Sequence, residues 1–222
     1  MHLRRIVHRD VKADNALVFA RPAGAKVADL GRAHDTAEPP RFAVEAYLSG
    51  RGDPHFAPLE FLWLQGTQAP KDQALADLFL LGALLFEVAT GISFTATVVG
   101  NPRTLMSTHA ALPDHQREAD WIAHQPWLRD AARPVYETLA LELPSPIRDR
   151  TLELVQQLTD PEPARRLPSS RGGRAHADAW DLQWLLARID SFRRMLDPTF
   201  RRAYLRARPH ATRSSRPRSR KP

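Results

Sequence analysis

The chain has 222 residues, of which 43% are hydrophobic and 26% are charged, a composition that is typical of folded proteins and excludes wholesale disorder. It contains no cysteine, which excludes disulfides, cysteine nucleophiles and cysteine-ligated metal sites. The net charge of +7 is uneven, because residues 201–222 hold nine Lys or Arg and no acidic residue, whereas residues 1–200 hold 23 basic and 25 acidic residues.

The first residues of the chain contain no apolar stretch like that of a secretory signal peptide. The longest apolar run, at residues 78–86, is far shorter than the roughly 20 residues that cross a bilayer, and we expect it to form a buried helix. The lack of cysteine is consistent with a reducing compartment. We therefore expect no membrane span and a cytoplasmic location.

Residues 1–35 alternate short apolar runs with loop residues, which predicts short strands around a polar loop at residues 9–15. Four prolines and two glycines in residues 36–60 predict a long irregular segment. From residue 59 onward apolar residues recur at helical spacing. Helices are predicted over residues 74–90, 115–124, 147–158 and 178–195.

Five short segments carry the residues that suggest chemistry. They are HRDVKADN at 8–15, DLG at 29–31, GDPHFAPLE at 52–60, DLFLLG at 77–82 and DPEPARR at 160–166. In order and spacing they resemble the sequences H-R-D-x-K-x-x-N, D-F-G, G-T-P-x-Y-x-A-P-E, D-x-W-S-x-G and D-P-x-x-R of the eukaryotic-type serine/threonine protein kinases. One such segment would be weak evidence, but five in the same order make a specific signal, which covers about residues 3–170.

The resemblance implies a mainly α fold, the α+β large lobe of a protein kinase, in which short strands surround the catalytic loop. It divides the chain into a large lobe at residues 1–170, an additional C-terminal helix at 171–200 and a basic, disordered tail at 201–222. No G-x-G-x-x-G loop occurs in the sequence, although the family's small lobe carries one. We therefore expect activity to require a small lobe that this sequence does not contain.

The residue types of the loop suit phosphoryl transfer, which depends on positioning and on positive charge near the phosphates. Asp10 offers a carboxylate that accepts the proton of a substrate hydroxyl, and Lys12 can place a positive charge at the γ-phosphate. Asn15 and Asp29 offer the oxygen ligands that suit Mg²⁺. The resemblance implies ATP and Mg²⁺ as cofactors, and it places Leu17 beneath the adenine.

By the same resemblance, several further residues have structural roles. His8 is expected to pack under the loop against Leu30, and Asp77 is expected to cap a helix start and to anchor the loop backbone. Glu60 and Arg166 are expected to form a buried ion pair. Two further apolar residues, Leu84 and Val88, are expected to support Leu17 from below.

Two residues suggest regulation and one departs from the family pattern. Arg9 precedes the predicted base, as in kinases that are switched by phosphorylation, and Ser49 is the predicted phosphoacceptor. Asp53 stands where the family usually carries threonine, and an acid there is expected to compete with Asp10 for Lys12.

Three interpretations remain open at this point. The chain is part of an active kinase, or a non-catalytic pseudokinase-like scaffold, or a binding module that acts through its tail. The expected partners are a protein substrate and a separate small lobe or upstream segment. The basic tail is either a solubilising terminus or a weak, non-specific and salt-sensitive site for anionic partners.

Overall fold

The computed structural model describes residues 1–20, 23–38, 52–65, 69–168, 178–199 and 202. Helices make up most of these ranges. The α-helices are α1 (Leu59–Leu62), α2 (Pro70–Thr90), α3 (Phe94–Val99), α4 (Pro102–Ala110), α5 (Asp114–Glu142), α6 (Arg148–Leu158) and α7 (Gln183–Leu196). The mainly α fold that was expected from the sequence is confirmed.

The strands form two small antiparallel pairs around the polar loop. Strand β1 (Ile6–Val7) pairs with β4 (His34–Asp35), and β2 (Ala16–Ala20) forms a hairpin with β3 (Ala23–Val27). Because β1 ends just before the loop and β2 begins just after it, paired strands hold both ends of the loop.

Helix α2 is the centre of the molecule. Every residue from Gln73 to Leu80 is buried, so the helix is surrounded on all sides. By length and hydropathy alone α2 could cross a membrane, but 61% of its apolar window is buried within the protein. The apolar run at 78–86 lies within α2 and belongs to the protein core.

Two clusters of buried side chains meet on α2. The first joins α2 to the region of α1 and to α3, α4 and α5, and includes Trp63, Phe86, Phe94, Met106 and Leu128. The second joins α2 to β1, α6 and α7, and includes Val7, Leu78, Leu158, Trp180 and Phe192. The central helix therefore connects the polar loop to both halves of the core.

Helix α5 is much longer than the predicted segment at 115–124. Its buried residues continue at helical spacing from Trp121 to Leu139. Pro126 and Pro134 lie within the helix, but both are exposed, so the carbonyl groups that lose a partner face the solvent side. The buried apolar residues of α5 continue on both sides of Pro126 and Pro134, so their packing against the core keeps the helix continuous through both prolines.

A half-buried polar contact attaches α5 to its neighbours. The Asp120 carboxylate accepts hydrogen bonds from Trp63 Nε1 at 2.7 Å and from His109 Nε2 at 3.0 Å. Burial tends to raise the pKa of Asp120, but these two hydrogen bonds and the charges of His124 and His109 outweigh burial and lower the pKa. Asp120 is therefore ionised at neutral pH and holds α4 and the end of α1 against α5.

Gly82 sets the distance between α2 and α6. A Cβ atom at this position would lie 2.6 Å from Leu158 Cβ and 2.9 Å from Thr159 Cγ2. Both distances are below van der Waals contact, so no larger residue fits unless the helices move apart.

We expect Gly82→Ala to lower the free energy of unfolding by about 1–3 kcal/mol, because the strain of overpacking exceeds the gain in helix propensity. Urea unfolding followed by circular dichroism measures this difference. Val88→Ala is the matched control on the same helix: Val88 is 70% exposed, and its truncation should change stability by less than about 0.5 kcal/mol. A Gly82→Ala protein as stable as the wild type would contradict the close approach of α2 and α6.

Candidate functional site

The polar loop at residues 8–15 is anchored by the carboxylate of Asp77, which is 3% exposed. The His8 N–H donates to Asp77 Oδ2 at 2.7 Å and the Arg9 N–H donates to Asp77 Oδ1 at 2.8 Å. Arg9 has a φ of 66°, a left-handed conformation that is uncommon for residues other than glycine. The two hydrogen bonds hold the backbone in this strained turn.

Asp77 does not cap a helix start, so that part of the sequence prediction is wrong. Helix α2 begins at Pro70, and Asp77 lies well inside it. Its carboxylate points away from its own helix and accepts hydrogen bonds from the loop.

His2 is the third described partner of Asp77, and the sequence analysis did not identify this residue as part of the site. Its Nε2 lies 3.0 Å from Asp77 Oδ2 and its Nδ1 lies 3.2 Å from the carbonyl oxygen of Ala179. The His2 ring therefore lies between the buried carboxylate of Asp77 and the carbonyl oxygen of Ala179. No local sequence pattern around residue 2 indicates this contact.

The loop brings two of the predicted site residues, Lys12 and Asn15, into contact with a third, Asp10. Lys12 Nζ lies 3.7 Å from Asp10 Oδ2. Asn15 Nδ2 donates to the Asp10 carbonyl oxygen at 2.8 Å and to Asp10 Oδ2 at 3.1 Å. Both hydrogen bonds use the amide nitrogen of Asn15, and its side-chain oxygen takes part in neither.

Asp29 follows the β2–β3 hairpin and is joined to the loop through the residue before it. The Ala28 N–H donates to the Asn15 carbonyl oxygen at 2.7 Å, and His8 Nε2 donates to the Ala28 carbonyl oxygen at 3.1 Å. Asp29 itself is exposed, and its Oδ1 accepts from the Gly31 N–H at 3.2 Å. His8 therefore positions the segment that carries Asp29.

The expected packing of Leu30 against His8 is wrong, because Leu30 is 58% exposed. The other apolar residues expected near the site are also open to solvent. Leu17 is 49% exposed and Val88 is 70% exposed, so Val88 does not form the packed support that was expected beneath Leu17. Leu84 instead packs against the first core cluster.

Glu60 and Arg166 form a bidentate ion pair in the core. The two nitrogen–oxygen distances are 2.7 and 2.6 Å, Arg166 is fully buried and Glu60 is 5% exposed. Arg166 also donates to the carbonyl oxygens of Leu75 and Asp160, each at 3.0 Å. This one side chain therefore joins α1, α2 and the segment after α6.

The hydrogen bonds of Asp53 are made with His55, and the positive charge of Lys12 also acts on its carboxylate. The Asp53 carboxylate accepts from the His55 N–H at 3.0 Å and lies 2.8 Å from His55 Nδ1. Burial tends to raise the pKa of Asp53, but the hydrogen bonds from His55 and the charges of His55 and Lys12 outweigh it and lower the pKa. Lys12 Nζ, which lies 3.7 Å from Asp10 Oδ2, is also 5.7 Å from the ring centroid of Phe56.

Of the two residues that were predicted to take part in regulation, Arg9 and Ser49, the structure describes only Arg9. Arg9 is buried beside the loop anchor. Ser49 lies outside the described residues, as does most of the basic tail.

The sequence of this chain matches a known protein family. The family model of the protein kinase domain matches residues 1–176, which is more than half of the chain and includes every residue assigned to the site above. No curated protein matches the chain.

We expect Glu60→Gln to lower the free energy of unfolding by about 3–5 kcal/mol, because it leaves the charge of Arg166 buried without its partner. Chemical denaturation at neutral pH measures this loss. Glu153→Gln is the control, since Glu153 is 69% exposed and pairs with Arg188 at 3.6 Å; it should cost less than about 1 kcal/mol. Equal losses for the two variants would contradict a core role for the Glu60–Arg166 pair.

The lowered pKa of Asp53 predicts a pH dependence. A carboxylate whose pKa is lower in the folded state stabilises the fold above its unfolded pKa, and this contribution disappears as the pH falls through the folded pKa. In His55→Ala, the midpoint of the Asp53 carboxyl titration, followed by ¹³C NMR, should move upward. His115→Ala changes an exposed histidine on α5 and should leave the midpoint unchanged. An unaltered midpoint in His55→Ala would remove His55 as the cause.

Proposed function

Because this chain belongs to the protein kinase family, we propose that it is a serine/threonine kinase that transfers the γ-phosphate of ATP to a hydroxyl group of a protein. The observation that carries the proposal is the contact among Asp10, Lys12 and Asn15, within a loop whose backbone is held by Asp77. The choice of serine or threonine rests on the position of Lys12, two residues after Asp10.

Asp10 is the proposed base. Both described contacts of its carboxylate are made by Oδ2, so Oδ1 can accept the hydrogen of the substrate hydroxyl. As the hydroxyl oxygen forms its bond to phosphorus, its proton passes to Asp10, and the bond from phosphorus to ADP breaks. The side chain of Asp10 is 12% exposed, which limits competition from water.

Lys12 supplies positive charge where the transferred group becomes more negative. Its ammonium group lies between the Asp10 carboxylate and the ring of Phe56, and its side chain is 18% exposed. Contacts on two sides restrict where a long, flexible side chain can point. The ammonium group is therefore held beside the base, close to the position of the reacting phosphate.

Asn15 and Asp29 are the proposed Mg²⁺ ligands. Their side-chain oxygens suit a hard cation, and the bond from Ala28 to Asn15 joins the two segments. Within the described residues, no group of three or more His, Cys, Asp or Glu is arranged to hold a metal ion. Two protein oxygens fit an ion that takes its other ligands from phosphate and water; when bound, ATP and Mg²⁺ supply the phosphoryl group and neutralise its charge.

The hairpin next to the loop supplies one apolar wall for the nucleotide. Leu17 and Phe19 are 49 and 42% exposed and share one face of the hairpin, whereas Val18 and Val27, which are 82 and 46% exposed, lie on the other face. The exposed apolar face formed by Leu17 and Phe19 is of the kind that another body covers. We propose that the adenine and a small lobe cover this surface, so that these residues alone hold ATP weakly.

We expect residues 1–222 alone to transfer phosphate very slowly and a small lobe, supplied in cis or in trans, to restore transfer to serine- or threonine-containing peptides. Asp10→Asn should then reduce kcat by about 10²–10⁴-fold, because the shape is kept but the proton acceptor is weakened. Incorporation of ³²P from labelled ATP measures this. Asp14→Asn, in the same loop but without an assigned role, is the matched control and should retain activity.

Calorimetry of the chain joined to a small lobe, together with the transfer assay, distinguishes an active kinase from a non-catalytic scaffold. Mg·ATP binding should be lost in Asp29→Ala and kept in Asp10→Asn. Unchanged transfer by Asp10→Asn would exclude Asp10 as the base. Mg·ATP binding without any transfer by the wild type would favour the non-catalytic scaffold.

A further inference from the structure

Glu87 on α2 contacts the catalytic loop from the end opposite to Asp77. Its Oε2 accepts a hydrogen bond from the Ala13 N–H at 2.9 Å, although the two residues are 74 positions apart in the sequence. We infer that Glu87 is a positioning residue, which holds Lys12 and Asn15 against Asp10 through the backbone of Ala13. The catalytic consequence of this inference rests on the proposed kinase function.

Two carboxylates on one helix hold the loop. Asp77 binds the backbone at His8 and Arg9, and Glu87 binds it at Ala13. The two acids are ten residues apart in α2, which corresponds to about 15 Å along the helix axis. Because α2 contributes buried residues to both core clusters, the core fixes its position, and α2 in turn fixes the positions of both ends of the loop.

The chemistry of the contact follows from the short 3₁₀ turn formed by Ala13–Asn15. The first N–H groups of such a turn have no partner within the turn. Lys12 precedes the turn and has an extended backbone, with φ −155° and ψ 169°, and its side chain does not cap the turn. The carboxylate of Glu87 takes the place of a cap, and its charge strengthens the hydrogen bond.

The turn lies directly between two proposed functional residues. Lys12 comes just before Ala13, and Asn15 ends the turn; both contact Asp10 Oδ2. Release of the Ala13 N–H would let the turn shift and lengthen both contacts. Glu87 forms no ion pair with any residue that the structure describes, so the loop backbone is the partner that the structure gives its charge.

Four variants isolate this hydrogen bond. Glu87→Ala removes the acceptor, and Glu87→Gln keeps an acceptor without the charge. Ala13→Pro removes the donor at little conformational cost, because proline suits the first position of a helical turn and the extended backbone of Lys12 suits a following proline. Glu137→Ala, an exposed glutamate on α5, is the matched control.

Hydrogen exchange measured by NMR on the full chain tests the contact without any need for activity. The Ala13 amide should exchange at least about tenfold faster in Glu87→Ala, since it loses its acceptor. Glu87→Gln should give a smaller change, and Glu137→Ala should give none. Wild-type exchange at Ala13 in Glu87→Ala would overturn the inference.

Kinetics of the protein completed with a small lobe test the consequence. Glu87→Ala should lower kcat about 10- to 100-fold with KM for ATP within about twofold of the wild type, and Glu87→Gln should recover most of the loss. In the Ala13→Pro background, Glu87→Ala should have no further effect on kcat. Such coupling is not produced by a general loss of stability.

Two outcomes would overturn the positioning role. One is an equal fall in kcat on Glu87→Ala in both backgrounds, which would show that Glu87 does not act through Ala13. The other is a rise in KM for the protein substrate with kcat unchanged, which would show that Glu87 contacts substrate. If the completed wild type transfers no phosphate, the proposed function fails, and exchange at Ala13 alone decides whether Glu87 holds the loop.

Discussion

A single buried carboxylate organises the functional half of this protein. Asp77 accepts hydrogen bonds from two backbone N–H groups of the polar loop and faces the ring of His2, and it does so from the buried stretch of the central helix α2. Burying a carboxylate is costly unless its hydrogen bonds are satisfied, and here they are made by donors on two other segments. If the loop moved away from α2, Asp77 would lose two of its three described partners, so the geometry of the loop is tied to the packing of the core.

Two other charged contacts work in the same way. The buried Glu60–Arg166 pair joins α1 and the segment after α6 to α2, and the half-buried Asp120 joins α5 to α4 and to the end of α1. A buried ion pair adds little net stability compared with well-packed apolar residues, but removal of one partner is expensive. Such contacts therefore specify which segments meet, while the aromatic and aliphatic clusters around Trp63 and Leu78 supply most of the driving force.

Sequence patterns predict the features that depend on neighbouring residues. Asp10, Lys12 and Asn15 lie within six positions, so their proximity follows from a short loop, and the apolar run of α2 marks a buried helix. The length of α5 is missed because its prolines resemble helix breaks, although they face solvent. His2 and Glu87 are missed because each meets its partner across about 75 positions, and no local spacing encodes that distance.

The contact of His2 with the carbonyl oxygen of Ala179 also bears on biosynthesis. It joins residues 177 positions apart, and it involves the same imidazole that faces the loop anchor. Contacts of such high sequence separation form late, because the intervening chain must first be ordered. During translation, the polar loop and α2 emerge from the ribosome long before the segment around Ala179. All three described partners of Asp77 precede it in the chain and are made first, whereas His2 gains its second partner, the carbonyl oxygen of Ala179, only when that later segment is made.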